Sequence, residues 1–248
     1  MGDAGPHPAR SAWSFPLVAP VVAHVRATDG RDGDLAVGGE PSALAAQRRA
    51  VLDRPWVWLH QVHGAEVVVL GPRDAVDGLA GAAADGVVTS RRDVALAVHT
   101  ADCAGVALIG DGGTVGAVHA GWKGLVAGVL PAAVAAVRAL EGGDVRAVLG
   151  PCIGPECYEF GGADLDAVAE VLGEEVRATT SWGTPALDLR AGVRAALRAE
   201  GVEVVATDTR CTACAGGADA PALYSHRARR DAGRQALLVW LAQDDGSS

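Results

Sequence analysis

In the stretch Val118-His119-Ala120-Gly121-Trp122-Lys123-Gly124, an apolar run ends and a helical pattern begins. The residues up to the histidine, 115–119, form a short aliphatic run that is typical of a buried strand. The residues that follow, 124–140, are rich in alanine and leucine at helical spacing, with Pro131 inside the pattern. His119 is therefore predicted to lie at the end of a strand beside a glycine, where a ligand can approach the backbone closely.

Further strands and helices are predicted on both sides of this stretch. Aliphatic runs predict strands at residues 57–59, 66–70, 86–89, 95–99, 106–109, 145–149, 202–206 and 235–241. Helical spacing predicts helices at residues 42–52, 163–172 and 189–200, the first capped by Ser42 and the last opened by Asp188. Strands and helices are interspersed without a strict β-α-β rhythm and without an internal repeat.

We therefore predict an α/β (α+β) fold in which a mixed β-sheet is layered with helices. A chain of 248 residues suits a single domain with a sizeable core, which we place at residues 13–243. Half of the residues are hydrophobic but only 4% are aromatic, so the core must be largely aliphatic. Residues 1–12 and 244–248 are predicted to be disordered ends.

Charge and glycine patterns exclude several classes of partner. The net charge is −9 at pH 7, whereas a protein that binds nucleic acid needs a basic stripe along its surface. No G-x-G-x-x-G pattern joins a predicted strand to a helix, and no P-loop is present. We therefore expect no nucleic-acid partner, no dinucleotide site and no Walker-type nucleotide site.

Membrane and export signals are also missing from the sequence. Proline or glycine interrupts each long apolar stretch before it reaches the ~18 residues that a spanning helix needs. The N-terminal residues include Asp3, Pro6 and Pro8 but no basic segment followed by an apolar one. We expect a cytoplasmic protein without a membrane partner, in which the five cysteines stay reduced.

Three residues of metal-binding type lie at the ends of predicted strands. His63 and His119 each follow a strand and precede or approach a glycine, and Cys103 follows a strand after a short turn. Two imidazoles and one thiolate suit a borderline-soft ion such as Zn²⁺. Three protein ligands leave a fourth position open, as in catalytic zinc sites. We predict a metal site formed by His63, Cys103 and His119, hereafter the triad.

Other histidines and aspartates compete for roles near the triad. His60 falls on the opposite face of its strand from His63, and His99 lies four residues before Cys103. Either histidine would then orient a metal ligand rather than bind the metal. Asp85 and Asp102 each suit a turn-capping role or the role of an acid or base near the metal. We include Asp85 with the triad among the candidate catalytic residues.

The four remaining cysteines are Cys152, Cys157, Cys211 and Cys214. Their Cys-x₄-Cys and Cys-x₂-Cys spacings are compatible with a four-cysteine structural zinc site. We favour the alternative that they are small buried residues beside turns. A thioredoxin-like redox role is disfavoured, because that motif opens a helix whereas Gly216-Gly217 follows here.

Several short motifs follow one another between Trp56 and Trp240. They are Gln61-Val62-His63-Gly64, Ala84-Asp85-Gly86-Val87-Val88-Thr89, Thr100-Ala101-Asp102-Cys103, Val118-His119-Ala120-Gly121-Trp122, Gly150-Pro151-Cys152-Ile153-Gly154, Tyr224-Ser225-His226-Arg227 and Gly233-Arg234. In this order they resemble the bacterial multicopper polyphenol oxidase or laccase-domain family, which includes the peptidoglycan editing factor. The chain departs from the family pattern at residues 25–30, at Gln47-Arg48, where the family has an Asn-Arg pair, and at residues 215–219.

The resemblance implies a zinc enzyme that acts on small-molecule purine nucleosides and phosphate, with the triad as the zinc ligands. The implied reactions are phosphorolysis of adenosine, inosine, guanosine or 5′-methylthioadenosine and hydrolytic deamination of adenosine. Phosphorolysis needs an anion site, and bidentate guanidinium groups hold phosphate well. We expect Arg227 or Arg234 to bind phosphate, with Lys123 next. The alternative is that these arginines belong to a surface turn and pair with Asp231.

Three other functions stay open at this point. A Cu²⁺-dependent polyphenol oxidase is one, although blue-copper oxidases use many histidines and an axial methionine, and this chain has seven histidines and only Met1. A hydrolase or amidase acting on cell-wall precursors is another, with Cys103 as nucleophile and His119 as base. The third is a non-catalytic partner in cell division or cell-wall synthesis.

Overall fold

Two large β-sheets, two short β-hairpins and six helices make up the computed structural model, which describes residues 11–76, 79, 81–141, 143–217, 220–221 and 223–243. The strands are β1 (Ala12–Pro16), β2 (Val21–Ala27), β3 (Trp56–Val57), β4 (Val67–Val69), β5 (Gly86–Thr89), β6 (Ala95–Thr100), β7 (Ala104–Gly110), β8 (Thr114–Ala120), β9 (Val145–Leu149), β10 (Arg177–Thr179), β11 (Pro185–Leu187), β12 (Glu203–Thr207), β13 (Gly216–Gly217), β14 (Ala220–Pro221) and β15 (Gln235–Gln243). The helices are α1 (Pro41–Val51), α2 (Trp122–Ala127), α3 (Val129–Glu141), α4 (Gly162–Leu172), α5 (Leu189–Ala199) and α6 (His226–Arg229), with short 3-10 turns at Gly30–Asp32, Pro155–Cys157 and Glu174–Val176.

The larger strands form a five-stranded and a six-stranded sheet, and two short hairpins, β10–β11 and β13–β14, lie outside them. The five-stranded sheet has the order β1-β2-β15-β6-β3, and the six-stranded sheet has the order β12-β9-β7-β8-β5-β4. Most neighbours are antiparallel, but β3 with β6, β4 with β5, and β12 with β9 are parallel pairs. The predicted mixed α/β fold in a single domain is confirmed, although it contains two large sheets rather than one.

The two large sheets pack face to face, with helices on the outside. Alternation along β8 shows the arrangement: Val115 and Ala117 belong to the apolar core between the sheets, whereas Val118 and Ala120 belong to the core under the helices. Helices α2, α3 and α5 cover the six-stranded sheet. Helix α1 contributes Val51 to a third core on the outer face of the five-stranded sheet.

The connection from β6 to β7 matters most for the site, because it crosses from one sheet to the other. It consists of Ala101, Asp102 and Cys103, and Asp102 has a positive φ of 101°. A positive φ is unusual for a residue with a side chain and requires surrounding contacts that hold it. This sharp crossover directs Cys103 toward the end of β8.

The single helix predicted over residues 124–140 is wrong. Gly128 adopts a left-handed conformation with a φ of 89° and its N–H caps α2 at the carbonyls of Gly124 and Leu125. A new helix, α3, begins at Val129, so Pro131 falls in its first turn, where proline is tolerated. The apolar periodicity continues across the break, which is why the sequence suggested one helix.

Other predicted elements differ mainly at their ends. Glu40, rather than Ser42, caps α1 by accepting from the backbone of Ser42 and Ala43, and Asp188 caps α5 as predicted. Strands β1 and β2 were not predicted; the first begins at Ala12, inside the segment expected to be disordered. Ser11, in the same segment, donates to Asp208 at 2.6 Å, so residues 11 and 12 contradict the expectation of disorder. Residues 1–10 and 244–248 lie outside the described residues. Among the described residues, no helix combines the length and apolarity that crossing a membrane requires.

Candidate metal centre

The triad residues come together at one end of the two sheets. His63 lies in the loop between β3 and β4 with a φ of 59°, Cys103 ends the crossover, and His119 is in β8. Their ligand atoms all lie within 4.8 Å of one another. The Cys103 Sγ atom is 3.8 Å from His63 Nε2, and the two imidazole rings meet edge to face at a centroid distance of 4.8 Å. This spacing suits three side chains that converge on one ion.

Asp85 holds both histidines of the triad. Its fully buried carboxylate accepts hydrogen bonds from the backbone N–H groups of Val62 (3.1 Å), His63 (2.9 Å) and Gly64 (2.7 Å). It also lies 2.8 Å from His119 Nδ1. Burial raises the pKa of Asp85, but the hydrogen bonds from His119, Gly64 and His63 outweigh that effect and lower the pKa below its usual value.

The tautomer of His119 follows from this contact. An ionised carboxylate can only accept hydrogen bonds, so Nδ1 of His119 carries the proton that Asp85 accepts. The other ring nitrogen, Nε2, is then the atom that His119 offers to a metal ion. A carboxylate behind a histidine is the usual arrangement in metal sites, because it fixes the orientation of the ring.

The titration of Cys103 and His119 is strongly coupled. Burial raises the pKa of the Cys103 thiol, but hydrogen bonds from His119 and His63 and their charges lower it to about 6. Burial lowers the pKa of His119, but its hydrogen bonds to Asp85 and Cys103 raise it to about 9. The pair thus favours a thiolate beside an imidazolium, and a metal ion would replace the imidazolium proton.

Gly121 allows the ligands to pack against the start of α2. A Cβ atom at this position would lie 2.9 Å from His63 Cδ2 and 3.0 Å from Cys103 Sγ. Both distances are too short for a side chain in an unstrained structure. The glycine is therefore needed so that two triad residues can approach the backbone between β8 and α2.

His60 and His99 do not orient the triad ligands, contrary to the sequence-based expectation. His60 is exposed and joins Ala83 through an isolated β-bridge. His99 is 7% exposed, and neither of its ring nitrogens has a hydrogen-bond partner among the described residues. Burial and the charges of Arg48, His119 and Arg234 lower the pKa of His99 to about 3, so its ring is neutral. The orienting contact comes from Asp85 instead.

Asp102 organises the opposite wall of the site. Its carboxylate accepts hydrogen bonds from Thr212 Oγ1 (2.7 Å), Ser225 Oγ (2.6 Å) and the backbone N–H of Arg227 (2.6 Å). Ser225 also caps α6 by accepting from the backbone of Ala228. These contacts place the side chain of Arg227 next to the crossover that carries Cys103, with its guanidinium 5.1 Å from the ring centre of Tyr158.

A cavity of about 810 Å³ opens over the triad. Besides the triad its lining includes the cations Lys123, Arg227 and Arg234, the aromatic rings of Trp122 and Tyr158, and His99. A volume of this size suits a small organic molecule. The cavity thus combines a metal-binding group, positive charge and flat apolar surface.

The three cations proposed to bind phosphate differ in their surroundings. Arg234 donates through one guanidinium nitrogen to the carbonyls of Asp231, Ala232 and Gly233, and so is partly committed to its own loop. Lys123 lies over the ring of Trp122 at 5.6 Å. No carboxylate among the described residues pairs with Arg227. In the arginine cluster of residues 227, 229, 230 and 234, the alternative of an ion pair with Asp231 applies to Arg229, at 3.0 Å.

Sequence reasoning missed the residues that hold this wall. Thr212 and Ser225 lie 110 and 123 positions from Asp102, so no local pattern connects them. Tyr158 was also missed, although it is one of only two tyrosines in the chain and follows Cys157 directly. Contacts of this kind depend on the tertiary fold and leave no periodic signal.

Comparison with known proteins places the chain in a family. Residues 27–242 match the family described as multi-copper polyphenol oxidoreductase laccase. A Streptomyces griseus protein named purine nucleoside phosphorylase ORF3 is 43% identical over 222 residues, covering 83% of this chain and 85% of that protein. The Mycobacterium tuberculosis H37Rv protein named purine nucleoside phosphorylase Rv2149c is 42% identical over 217 residues, covering 83% and 82%.

Solved structures agree with this placement. The Neisseria meningitidis protein NMB0706 has a TM-score of 0.73 and 32% identity, covering 93% of this chain and 98% of that chain. The Bacillus licheniformis protein YfiH, described as hypothetical, has a TM-score of 0.77 and 25% identity, covering 94% and 97%. The resemblance that the motifs indicated is confirmed. The chain belongs to the multi-copper polyphenol oxidoreductase laccase family.

Proposed function

We propose that this protein is a zinc-dependent purine nucleoside phosphorylase that also deaminates adenosine. The observation that carries the proposal is the cavity itself, in which one wall is a three-residue metal-binding group and another presents Arg227 without a carboxylate partner among the described residues. The names of the relatives at 42–43% identity support a nucleoside substrate. We propose adenosine, inosine, guanosine and 5′-methylthioadenosine as substrates.

The donor set fits zinc. Two imidazoles and a thiolate are ligands that zinc accepts, and the carboxylate of Asp85 directs Nε2 of His119 into the site. A zinc ion bound by the triad would supply Lewis acidity and lower the pKa of a water at its fourth position toward neutrality. Binding of phosphate and of the purine base is assigned to other residues of the cavity.

Arg227 is the best placed anchor for phosphate. Phosphorolysis requires a phosphate anion beside the C1′ atom of the nucleoside, and a guanidinium group can hold two phosphate oxygens at once. The backbone of Arg227 is fixed by Asp102, and its side chain lines the same cavity as the triad. Arg234 and Lys123 are the second and third candidates, since both also line the cavity.

Aromatic rings and a neutral imidazole would receive the purine base. Trp122 and Tyr158 line the cavity and offer flat surfaces on which a purine can stack. His99 also lines the cavity and is uncharged, so its ring offers the base a further uncharged surface, while both of its ring nitrogens are buried. Asp85 is fully buried and accepts four hydrogen bonds, and we assign it a positioning role rather than contact with substrate.

Metal analysis combined with a nucleoside panel tests this proposal. The purified protein is assayed for bound metals and then incubated with each nucleoside with and without phosphate. We expect zinc, phosphate-dependent release of the base from inosine, and phosphate-independent conversion of adenosine to inosine. Absence of both reactions in zinc-loaded protein would contradict the proposal.

A copper enzyme is the second candidate, because a two-histidine, one-cysteine donor set also suits copper. The family description points the same way. Reconstitution of the metal-free protein with Cu²⁺ or Zn²⁺, followed by phenol oxidation and nucleoside assays on both forms, separates the two. Turnover of phenols by the copper form alone, with inert nucleosides, would favour the oxidase.

A thiol hydrolase acting on cell-wall precursors is the third candidate, because the Cys103 thiol lies beside His119, as a nucleophile and its base would. Such an enzyme would keep its activity after metal removal and lose it on treatment with iodoacetamide. Under the zinc proposal, metal removal abolishes activity and zinc restores it. A non-catalytic partner protein would show no turnover in any of these assays.

A further inference from the structure

A second group of metal-binding side chains lies outside the triad. Glu156, Cys157, Cys211 and Cys214 place one carboxylate oxygen and three sulfur atoms within 4.8 Å of one another. We name this group the Cys-Glu cluster. It differs from both sequence-based interpretations of these cysteines, because Cys152 is fully buried in the apolar core and Glu156 stands beside the other three thiols instead.

Two turns from distant parts of the chain form the Cys-Glu cluster. Glu156 and Cys157 belong to the 3-10 turn Pro155–Cys157, which closes through the N–H of Cys157 on the carbonyl of Gly154. Cys211 and Cys214 lie in a turn closed by the N–H of Ala215 on the carbonyl of Cys211 at 2.9 Å. A parallel β-bridge between Cys152 and Cys211 holds the two turns side by side.

Hydrogen bonds direct the polar atoms of the cluster toward one another. The backbone N–H of Gly154 donates to Cys211 Sγ at 3.1 Å. The Cys214 thiol donates to Glu156 at 3.6 Å. Arg229 donates to the carbonyls of Thr212 and Ala213 and so fixes the backbone of the Cys-x-x-Cys turn.

We propose that the Cys-Glu cluster binds a structural zinc ion, separate from the metal of the triad. Three thiolates and one carboxylate supply four ligands, which complete the tetrahedral shell that zinc adopts in structural sites. Thiolates also select zinc over magnesium and calcium, which prefer oxygen. Because all four positions come from the protein, no position remains for a substrate.

This ion would cross-link the two turns that support the catalytic cavity. The N–H of Ile153 donates to the carbonyl of Asp102 at 2.9 Å, and Thr212 Oγ1 donates to its carboxylate at 2.7 Å. The turns of the cluster therefore approach Asp102 from two sides, and Asp102 in turn holds the backbone of Arg227. Loss of the ion loosens the wall opposite the triad without removing a triad ligand.

Zinc stoichiometry in a small set of variants tests the proposal. We expect two zinc ions per chain in the wild type, one in Cys214→Ser and one in His63→Ala. Cys152→Ser is the matched control, since it removes a cysteine outside the cluster and should keep both ions. In Cys214→Ser the remaining ion should be the triad ion, so activity should fall in part and not be restored by added zinc.

Cobalt substitution identifies the ligands without reference to activity. In His63→Ala loaded with Co²⁺, the cluster should give thiolate-to-cobalt charge-transfer absorption of the intensity expected for three thiolates. Adding Glu156→Gln should weaken Co²⁺ binding but keep that absorption. If Cys214→Ser does not fold, Glu156→Gln and the cobalt spectrum still decide. Any of three results would overturn the proposal. His63→Ala could bind no zinc while its thiols react freely, or two cysteines of the cluster could form a disulfide. The third is that zinc stays bound when Cys214→Ser is combined with His63→Ala. A failed nucleoside assay leaves these measurements unaffected.

Discussion

At the scale of single residues, Asp85 and Asp102 show how a buried carboxylate holds the loops and side chains around a site in place. Each lies at a turn and accepts hydrogen bonds from groups that would otherwise be unpaired in the interior. Asp85 fixes the loop of His63 and the ring of His119, while Asp102 fixes α6 and the crossover. The two walls of the cavity therefore each depend on one carboxylate.

Replacing Asp85 tests its positioning role. In Asp85→Asn one acceptor oxygen is lost and His119 is oriented less firmly, so zinc affinity at the triad should fall roughly 10- to 100-fold. The measurement is competition with a chelator whose absorbance reports free zinc. Asp93→Asn, at an exposed carboxylate that pairs with Arg91, is the control and should bind zinc as the wild type does. Equal affinity in both variants would rule out the role.

The two histidines of the Gln61-Val62 motif give a second residue-scale prediction. His63→Ala removes a triad ligand and should abolish zinc binding at the triad together with activity, with little change in the circular dichroism spectrum. His60→Ala, three positions earlier, changes an exposed ring that lines the cavity but is not part of the triad, and this variant should keep zinc binding. If His60→Ala loses zinc as His63→Ala does, the triad has been assigned to the wrong histidine.

Sequence could indicate the triad because strand ends are visible in the pattern of aliphatic residues. It could not indicate why the loop of His63 is stable, since that depends on three backbone N–H groups meeting Asp85 from 21 to 23 positions away. Nor could it separate Arg227 from Arg229. In the structure Arg229 pairs with Asp231 and donates to backbone carbonyls of Thr212 and Ala213, whereas no carboxylate among the described residues pairs with Arg227. Their roles became distinguishable only from tertiary contacts.

At the scale of elements, the short strands could be predicted from the sequence, but the interruption of a helix could not. Strands β5 and β9 have the predicted bounds, because each is a short run rich in valine in which almost every residue is buried. Strand β2 alternates buried and half-buried residues, a signal of period two that was available in the sequence and overlooked. The break at Gly128 was hidden, since one glycine in an apolar helical pattern is compatible with a continuous helix.

Helix α6 carries the prediction that belongs to this scale. Arg227→Gln removes a charge from the cavity and should raise the phosphate concentration needed for half-maximal inosine cleavage roughly 10- to 100-fold, as expected for loss of a charged hydrogen bond. Adenosine deamination consumes water and should change much less. Arg230→Gln removes the same charge at the end of the same helix, outside the cavity lining, and serves as the control.

Comparing phosphorolysis with deamination in Arg227→Gln also separates loss of phosphate binding from damage to the fold. Equal losses of phosphorolysis and deamination in Arg227→Gln would indicate damage to nucleoside binding or to the fold. An unchanged phosphate requirement would move the anchor to Arg234 or Lys123, which should then be substituted in the same way.

At the scale of the whole molecule, a cluster of ion pairs joins the ends of the two sheets. Asp29 follows β2 of one sheet, and Asp208 follows β12 of the other. Arg210 pairs with Asp208 at 2.6 Å and with Asp29 at 3.3 Å. Burial raises the pKa of Asp29, but hydrogen bonds from Arg31 and Arg210 lower it from 3.8 to about 2. Both aspartate side chains are almost fully buried.

This cluster predicts how stability depends on acid. Because the pKa of Asp29 is lower in the folded chain, its contribution is complete above pH 4 and is lost as the pH falls toward 2. A shift of this size corresponds to about 2 kcal/mol of unfolding free energy. Asp29→Asn should lose about that amount at pH 7 and depend less on pH below 4, as measured by urea unfolding. Asp93→Asn should change stability by less than ~0.5 kcal/mol.

The order of strands was beyond sequence reasoning, because pairing partners in this fold are far apart. Thr28 and Ala236, for example, exchange hydrogen bonds across 208 positions. Aliphatic patterns identify strands but do not say which two will be neighbours. The sequence therefore supported a mixed sheet and not the division into two sheets that face each other.

The position of β15 has a consequence for how the protein is made. This strand follows the other described strands in the chain, yet it lies in the middle of its sheet, between β2 and β6. While a ribosome is still synthesising residues 235–243, β2 and β6 each present an open edge to the cytosol or to a chaperone. The nascent chain can complete the six-stranded sheet early, but the five-stranded sheet cannot close until β15 has been synthesised. A gene truncated after codon 234 should therefore yield an aggregated product.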